Sequence, residues 1–253
     1  MLRHATLDQL QDLKLNGMAK AFAEQLSMHD VSALSFEERL GLLVEREAAE
    51  RSSRRLTARL RKANLREQAV LEDTDWRARR NLDKAQMLRL GSCQWIADHL
   101  NVLITGKAGV GKTFLACALA HKACREDYTA LYLRVPRLFR NLAIARGDGS
   151  YDRLLNTYAR ADLLVLDDFG LEPIGGPERR DLLEILEDRY GRRSTLVASQ
   201  LPVKSWYEII GDPTLADGIL DRLVHGAYAV EMDGESMRGK RRKAAVNDGS
   251  DQS

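Results

Sequence analysis

The residues able to do chemistry in this chain concentrate in two stretches. The first is Gly106-Lys107-Ala108-Gly109-Val110-Gly111-Lys112-Thr113, which follows the apolar run Val102, Leu103, Ile104, Thr105. Its spacing is G-x-x-x-x-G-K-[ST], that of a loop that cradles phosphate. Glycines let the backbone take positive φ and approach an anion without a Cβ in the way. The loop amides and the N-terminus of a following helix then point at that anion. Lys112 would reach the β- and γ-phosphates of a nucleotide, and the Thr113 hydroxyl would hold a Mg²⁺ ion. A chance glycine-rich turn would lack the flanks found here, an apolar strand before and a helix-compatible run, Phe114 to Cys124, after.

The second stretch is Leu163-Leu164-Val165-Leu166-Asp167-Asp168, four apolar residues ending in two carboxylates. A buried strand that delivers acids at its tip suits a nucleotide-bound Mg²⁺. Asp167 would orient metal-bound water and Asp168 would act on the attacking water as general base. Leu196-Val197-Ala198-Ser199-Gln200 is a similar strand with a polar end. If it lies beside the loop strand, Ser199 or Gln200 could contact the γ-phosphate or the water. Arg222 sits on an otherwise apolar helix with Leu215, Ile219, Leu220 and Leu223. It could pair with an acid, or project toward a neighbouring subunit's phosphate as an arginine finger.

Positioning these groups requires a layered scaffold. Strands are expected at 102–105, 129–134, 163–167, 196–199 and 227–232, with helices after the loop and over 136–146, 151–158, 177–190 and, as a pair, 203–226. Apolar strands alternating with helices imply a parallel sheet covered on both faces, with ligands at the strands' C-terminal ends. The N-terminal third reads as helical. Thr6 with Gln9, and Ser35 with Glu38, fit the capping box. Asn16-Gly17 suggests a break, and Phe36, Leu40, Leu43 and Val44 form a stripe expected to be buried at the start of a helix running past residue 60. Residues 75–90 also read as helical. The domains expected are 1–70 helical, 71–243 carrying the nucleotide chemistry, and a disordered tail at 244–253.

Lys and Arg number 39 against 37 Asp and Glu, but the layout is uneven. Arg46, Arg51, Arg54, Arg55, Arg59, Arg61, Lys62 and Arg66 face only Glu47 and Glu50 across that stretch, and Arg238 to Lys243 is a second basic cluster. Such clusters suit a polyanion and make nucleic acid the expected partner. Cys93, Cys117 and Cys124 have neither disulfide-framework nor zinc spacing, and the five histidines are scattered. No apolar run reaches the ~18 residues a membrane span needs, and no signal-peptide core opens the chain, so a cytoplasmic protein is expected.

Taken together these segments resemble AAA+ ATPases, and more narrowly the IstB transposition helpers, kin to the helicase loaders DnaC and DnaI. The likeness spans nearly the whole chain. Its segments include LKLNGMAKAF, LSFEERLGLLVERE, WIADHLNVLITGKAGVGKTFLACALA and LLVLDDFGLEP, of which the phosphate loop and the Asp-Asp strand are shared by many ATPases. SQLPVKSW, ADGILDRLVHGAY and GESMR carry the narrower likeness. The resemblance implies a P-loop NTPase of AAA+ type with a doubly wound five-stranded parallel sheet behind a small all-helical domain. It implies ATP and Mg²⁺ as cofactors, Gln200 as first sensor, Arg222 as arginine finger and Arg238 as second sensor. Asp168 departs from the wider pattern, where many members have Glu. Only residues 233–253 follow Met232, too few for the helical lid of larger AAA+ proteins. The resemblance further implies ATP hydrolysis, binding of double-stranded DNA, ATP-dependent self-assembly, and recruitment of a partner transposase. A DnaC-like replicative helicase loader is the alternative on the same core. A small-molecule kinase and a nucleotide-gated binding module without appreciable hydrolysis are further alternatives.

Overall fold

The computed structural model describes residues 5–28, 33–78 and 80–237. Two compact units divide the chain, Met1–Ala58 and Arg59–Ser253.

In the first unit, α1 (Ala5–Asp12) and α2 (Asn16–Ser27) precede the long α3 (Phe36–Ala63), which carries the chain on into the second. Ser35 and Glu38 form the reciprocal cap expected: the Ser35 amide donates to Glu38 Oε2 at 2.7 Å and the Glu38 amide to Ser35 Oγ at 3.2 Å. Thr6 does not cap, because α1 already includes Ala5. The expected break falls at 13–15, just ahead of Asn16, and Gly17 itself is required by a close crossing. A Cβ there would meet Arg46 O and Glu47 Cα at 2.7 Å, and the Glu47 carboxylate accepts the amides of Gly17 and Met18 at 2.7 and 3.1 Å. The expected burial of the α3 stripe is not found, since Phe36 is 67% exposed, Leu40 40% and Val44 54%. The face of α3 that meets α2 carries Arg39, Glu47 and Glu50. At 100° per residue Leu43 falls within that face and is half-buried, while Leu40 and Val44 turn past its edge.

The second unit is a five-stranded sheet, all parallel, in the order β2-β3-β4-β1-β5. The strands are β1 (Val102–Gly106), β2 (Ala130–Arg134), β3 (Leu163–Phe169), β4 (Ser194–Ser199) and β5 (Tyr228–Met232). Around them lie α4 (Lys84–Gly91), α5 (Gln94–Ala97), α6 (Lys112–Arg125), α7 (Val135–Asp148), α8 (Tyr151–Arg160), α9 (Gly176–Arg189), α10 (Trp206–Ile210) and α11 (Pro213–Val224). All five expected strands are present. β1 to β4 are almost wholly buried, as sheets covered on both faces require. Arg189 is 1% exposed and donates to the carbonyls of Tyr158, Ala159, Ala161 and Ser194, tying the end of α8 to the start of β4.

The helix expected over 75–90 begins only at Lys84. Asp75 Oδ1 accepts the amides of Arg77 and Ala78, and Asp83 Oδ1 accepts that of Ala85. These short side chains compete with helix for the local amides and leave a turn at 75–78 and a cap at 83.

Candidate nucleotide-binding site

β1 runs straight into the glycine loop, and its three glycines are needed for different reasons. Gly106 has φ +148°, and a Cβ on it would meet Met232 O of the adjoining strand at 2.1 Å. Gly109 has φ +86°, against Ser236 Oγ at 2.3 Å. Gly111, at φ +101°, is the residue before α6, so the first amides of that helix open toward the loop's concave side. Lys112 is buried in this cradle, its Nζ donating to the carbonyls of Gly106 and Lys107 at 2.6 and 2.8 Å. The Met237 amide donates to Gly109 O at 2.9 Å, and Lys107 pairs with Asp233 at 3.0 Å, so residues 233–237 lie along the loop.

The two acids come from an irregularity in β3. Leu166 pairs with Val197 and Phe169 with Ser199, so Asp167 and Asp168 together oppose the single residue Ala198. This is a β-bulge, and Asp168 takes the left-handed conformation, φ +58°. Asp167 is 2% exposed, and its Oδ2 accepts from Thr113 Oγ1 at 2.8 Å and from the Tyr132 hydroxyl at 2.6 Å. Burial and the neighbouring Asp167 push the Tyr132 phenol well above its ordinary range, so it stays a donor. The bulge turns the Asp168 carboxylate the other way, toward Arg134 Nε at 2.5 Å, with Arg66 Nη1 at 3.8 Å.

Loop and acids share one cavity of about 600 Å³, large enough for a nucleotide. Gly109, Gly111, Lys112 and Thr113 of the loop, the polar strand ends Asp167, Asp168 and Gln200, and the cations Arg66 and Arg80 all line it. Ser199, the other candidate at the end of β4, is fully buried, donates to Phe169 O at 2.7 Å and accepts the Leu201 amide. It holds the bulge and is not free for a ligand. Arg222 does not line the cavity. Its guanidinium pairs with Glu187 and donates to Gly218 O, and its carbonyl accepts from Asn101 just before β1, at the end of the sheet away from the loop. Arg238 lies outside the described residues. Tyr132, Arg134, Arg66 and Arg80 carry no motif. One signal did exist for Arg134: it is the polar residue that ends β2, as Asp167 and Gln200 follow their own apolar runs.

Thr113 and Asp167 bring a hydroxyl and a carboxylate oxygen to within 2.8 Å of each other beside a loop of amides. Hard oxygen donors next to a phosphate cradle fit Mg²⁺ held jointly by protein and nucleotide.

A parallel sheet in this order, with the glycine loop between β1 and α6 and paired acids on β3, defines a P-loop NTPase of the AAA+ type. The chain belongs to the IstB-like ATP binding protein family, whose model matches residues 8–245. An insertion sequence ATP-binding protein of Sinorhizobium fredii, y4pL, is 58% identical over 96% of this chain and 99% of its own. The ATP-binding protein of insertion sequence IS1162 from Pseudomonas fluorescens is 50% identical over 80% of this chain and 88% of its own. Among solved structures, DnaI matches with a TM-score of 0.57 at 24% identity, covering 65% of this chain and 91% of that one, a likeness of fold.

Proposed function

We propose that this protein is an ATP-hydrolysing helper of insertion-sequence transposition, which assembles on double-stranded DNA in its ATP-bound form and recruits a partner transposase. The single observation carrying the reading is the Thr113–Asp167 hydrogen bond. It joins the phosphate loop to the acid strand across one cavity, in a chain half or more identical to insertion-sequence ATP-binding proteins.

In this reading Lys112 neutralises the β- and γ-phosphates, while the amides of Lys107 to Gly111 cradle them. Thr113 and Asp167 hold Mg²⁺, which when bound offsets charge on the phosphate oxygens. Tyr132 fixes the orientation of Asp167. Asp168 takes the proton of the attacking water, Gln200 orients that water, and Arg222 serves a neighbouring subunit's nucleotide.

Self-assembly is supported by the apolar residues that the first unit leaves exposed, Phe36, Leu40 and Val44 among them. DNA contact is supported by Arg55, Arg61 and Lys62, exposed cations on α3. Arg51 and Arg54 are paired with Glu47 and Glu50, and Arg59 is engaged with Asp127 and Cys124 O, so these weigh less.

Sedimentation of the full chain with duplex DNA, with and without ATP, tests the reading. ATP-dependent growth of the complex is expected, with Lys112→Ala unable to form it; assembly indifferent to ATP sinks it. Charge reversal at Arg55, Arg61 and Lys62 should weaken binding across all sequences and flatten its salt dependence.

A further inference from the structure

Part of the cavity's lining comes from a turn ahead of α4 that no motif marks. Its inner residue, Arg80, is 5% exposed. Nη2 donates to Asp75 O at 2.7 Å, and the Arg80 carbonyl accepts the Asp233 amide at 3.2 Å. Asp75 Oδ1 in turn accepts the amides of Arg77 and Ala78, which fixes the turn's shape. Side chain and backbone are therefore anchored separately, one to the turn and one to the segment after β5. So held, Nη1 lies where a Cβ on Gly111 would come within 3.1 Å of it, at the threshold of α6.

We propose that Arg80 is a phosphate-binding residue of the nucleotide site, a second fixed cation placed on the α- and β-phosphate side of the cavity. The proposal rests on the ATP reading given above and adds to it the residue that recognises the diphosphate. In phosphate loops the backbone amides cradle the α- and β-phosphates while the loop lysine reaches the β and γ. Arg80 borders the backbone of that cradle at Gly111 and lines the same cavity. A guanidinium suits the position because its planar fork engages two phosphate oxygens at once and it stays charged when buried. Because the turn and the 233–237 segment already hold it, little side-chain freedom remains to be lost on binding.

The test uses the full chain, fluorescent ATP and ADP analogues, and thermal melts with and without nucleotide. Arg80→Met keeps the volume and removes the charge. It should weaken ATP and ADP alike by about tenfold, the scale of one charge-assisted bond, while AMP changes less; loss of the bond to Asp75 O lowers the nucleotide-free melting temperature by a few degrees at most, on the order of one hydrogen bond. Arg80→Lys should recover part of the loss. Unchanged affinities in a folded Arg80→Met overturn the proposal, as does a loss for ATP that spares ADP. If Arg80→Met does not fold, Arg80→Lys decides: equal weakening of both nucleotides supports the role and wild-type affinity removes it. Failure of the underlying reading looks different, because then the unsubstituted protein binds neither nucleotide or Lys112→Ala binds both normally.

Discussion

Arg134 Nε stands 2.5 Å from Asp168 Oδ2, so the carboxylate proposed as general base is held in an ion pair. The pair joins the last residue of β2 to the bulge of β3, where Arg134 is in register with Asp167 and the left-handed φ of Asp168 swings its side chain across. An oxygen engaged by a guanidinium takes a proton from water only once that pair opens. The Arg134 side chain is 45% exposed, so opening costs about 1 kcal/mol or less. Arg134→Ala should therefore raise basal hydrolysis by about two- to fivefold and leave ATP affinity nearly unchanged. Steady-state turnover without DNA is the measurement. A large fall in turnover would make Arg134 part of the machinery that stabilises charge rather than a restraint on it.

Asp167 accepts from both Thr113 and Tyr132 on the same oxygen, which makes its orientation the product of two unrelated elements. Asp167→Asn should preserve binding of ATP measured without metal, abolish the gain in affinity that Mg²⁺ gives, and lower turnover by ~10²-fold or more. Chelating Mg²⁺ from the unsubstituted protein should reproduce both effects. Tyr132→Phe removes one of the two bonds and should weaken Mg²⁺ dependence less than Asp167→Asn does. A variant Asp167→Asn that still responds fully to Mg²⁺ would move the metal site elsewhere.

What the sequence made readable divides along chain distance. The phosphate loop is local: its glycines, Lys112 and Thr113 sit within eight consecutive residues, and backbone sterics alone demand that order. The strands were equally legible, because burial on both faces leaves runs such as Leu163–Leu166 with no polar break. Tyr132 was not legible as a partner of Asp167, 35 positions away, because only strand order and register bring them together. The bulge at Asp168 was hidden for a related reason. Asp is among the few residues that tolerate the left-handed region, yet nothing local says that it will. Residues 75–90 do not run as one helix because Asp75 and Asp83 take the local amides in Asx bonds, which no helical reading of the segment anticipates. The helical period of the α3 stripe is real, but among the described residues only Leu43 of it is covered, and partly.

Glu47 gives the first unit a dependence on pH. Its carboxylate is lowered from its ordinary value, first because of the hydrogen bond from Arg51, with burial opposing and the amides of Met18 and Gly17 adding to the lowering. A carboxylate depressed on folding contributes stability above the unfolded value, near 4.5, and that contribution is lost as pH falls through the folded one. Glu47→Gln should therefore destabilise the α2–α3 pair at neutral pH, and the gap to the unsubstituted protein should close progressively below pH 4.5. Denaturant unfolding across that range measures it. A gap independent of pH would mean that Glu47 acts through shape and amide acceptance alone.

Arg222 tests whether the site is completed between subunits. It lines no part of its own cavity, and its carbonyl is bonded to Asn101 at the start of β1, a strand of five residues and so ~16 Å long, with the phosphate loop at the far end. A role in hydrolysis must then be played on a neighbour's nucleotide. Arg222→Ala should leave ATP affinity within about twofold and cut turnover by ~10³-fold, the scale of an arginine finger. The competing explanation is the partly exposed pair with Glu187, worth ~1 kcal/mol or less. Glu187→Gln breaks that pair while keeping Arg222, and it should leave turnover intact. Mixing Arg222→Ala with Asp168→Asn subunits supplies, at some interfaces, an intact base from one chain and an intact arginine from the other. Turnover of the mixture above that of either variant is expected, and no recovery at any ratio assigns Arg222 to the Glu187 pair.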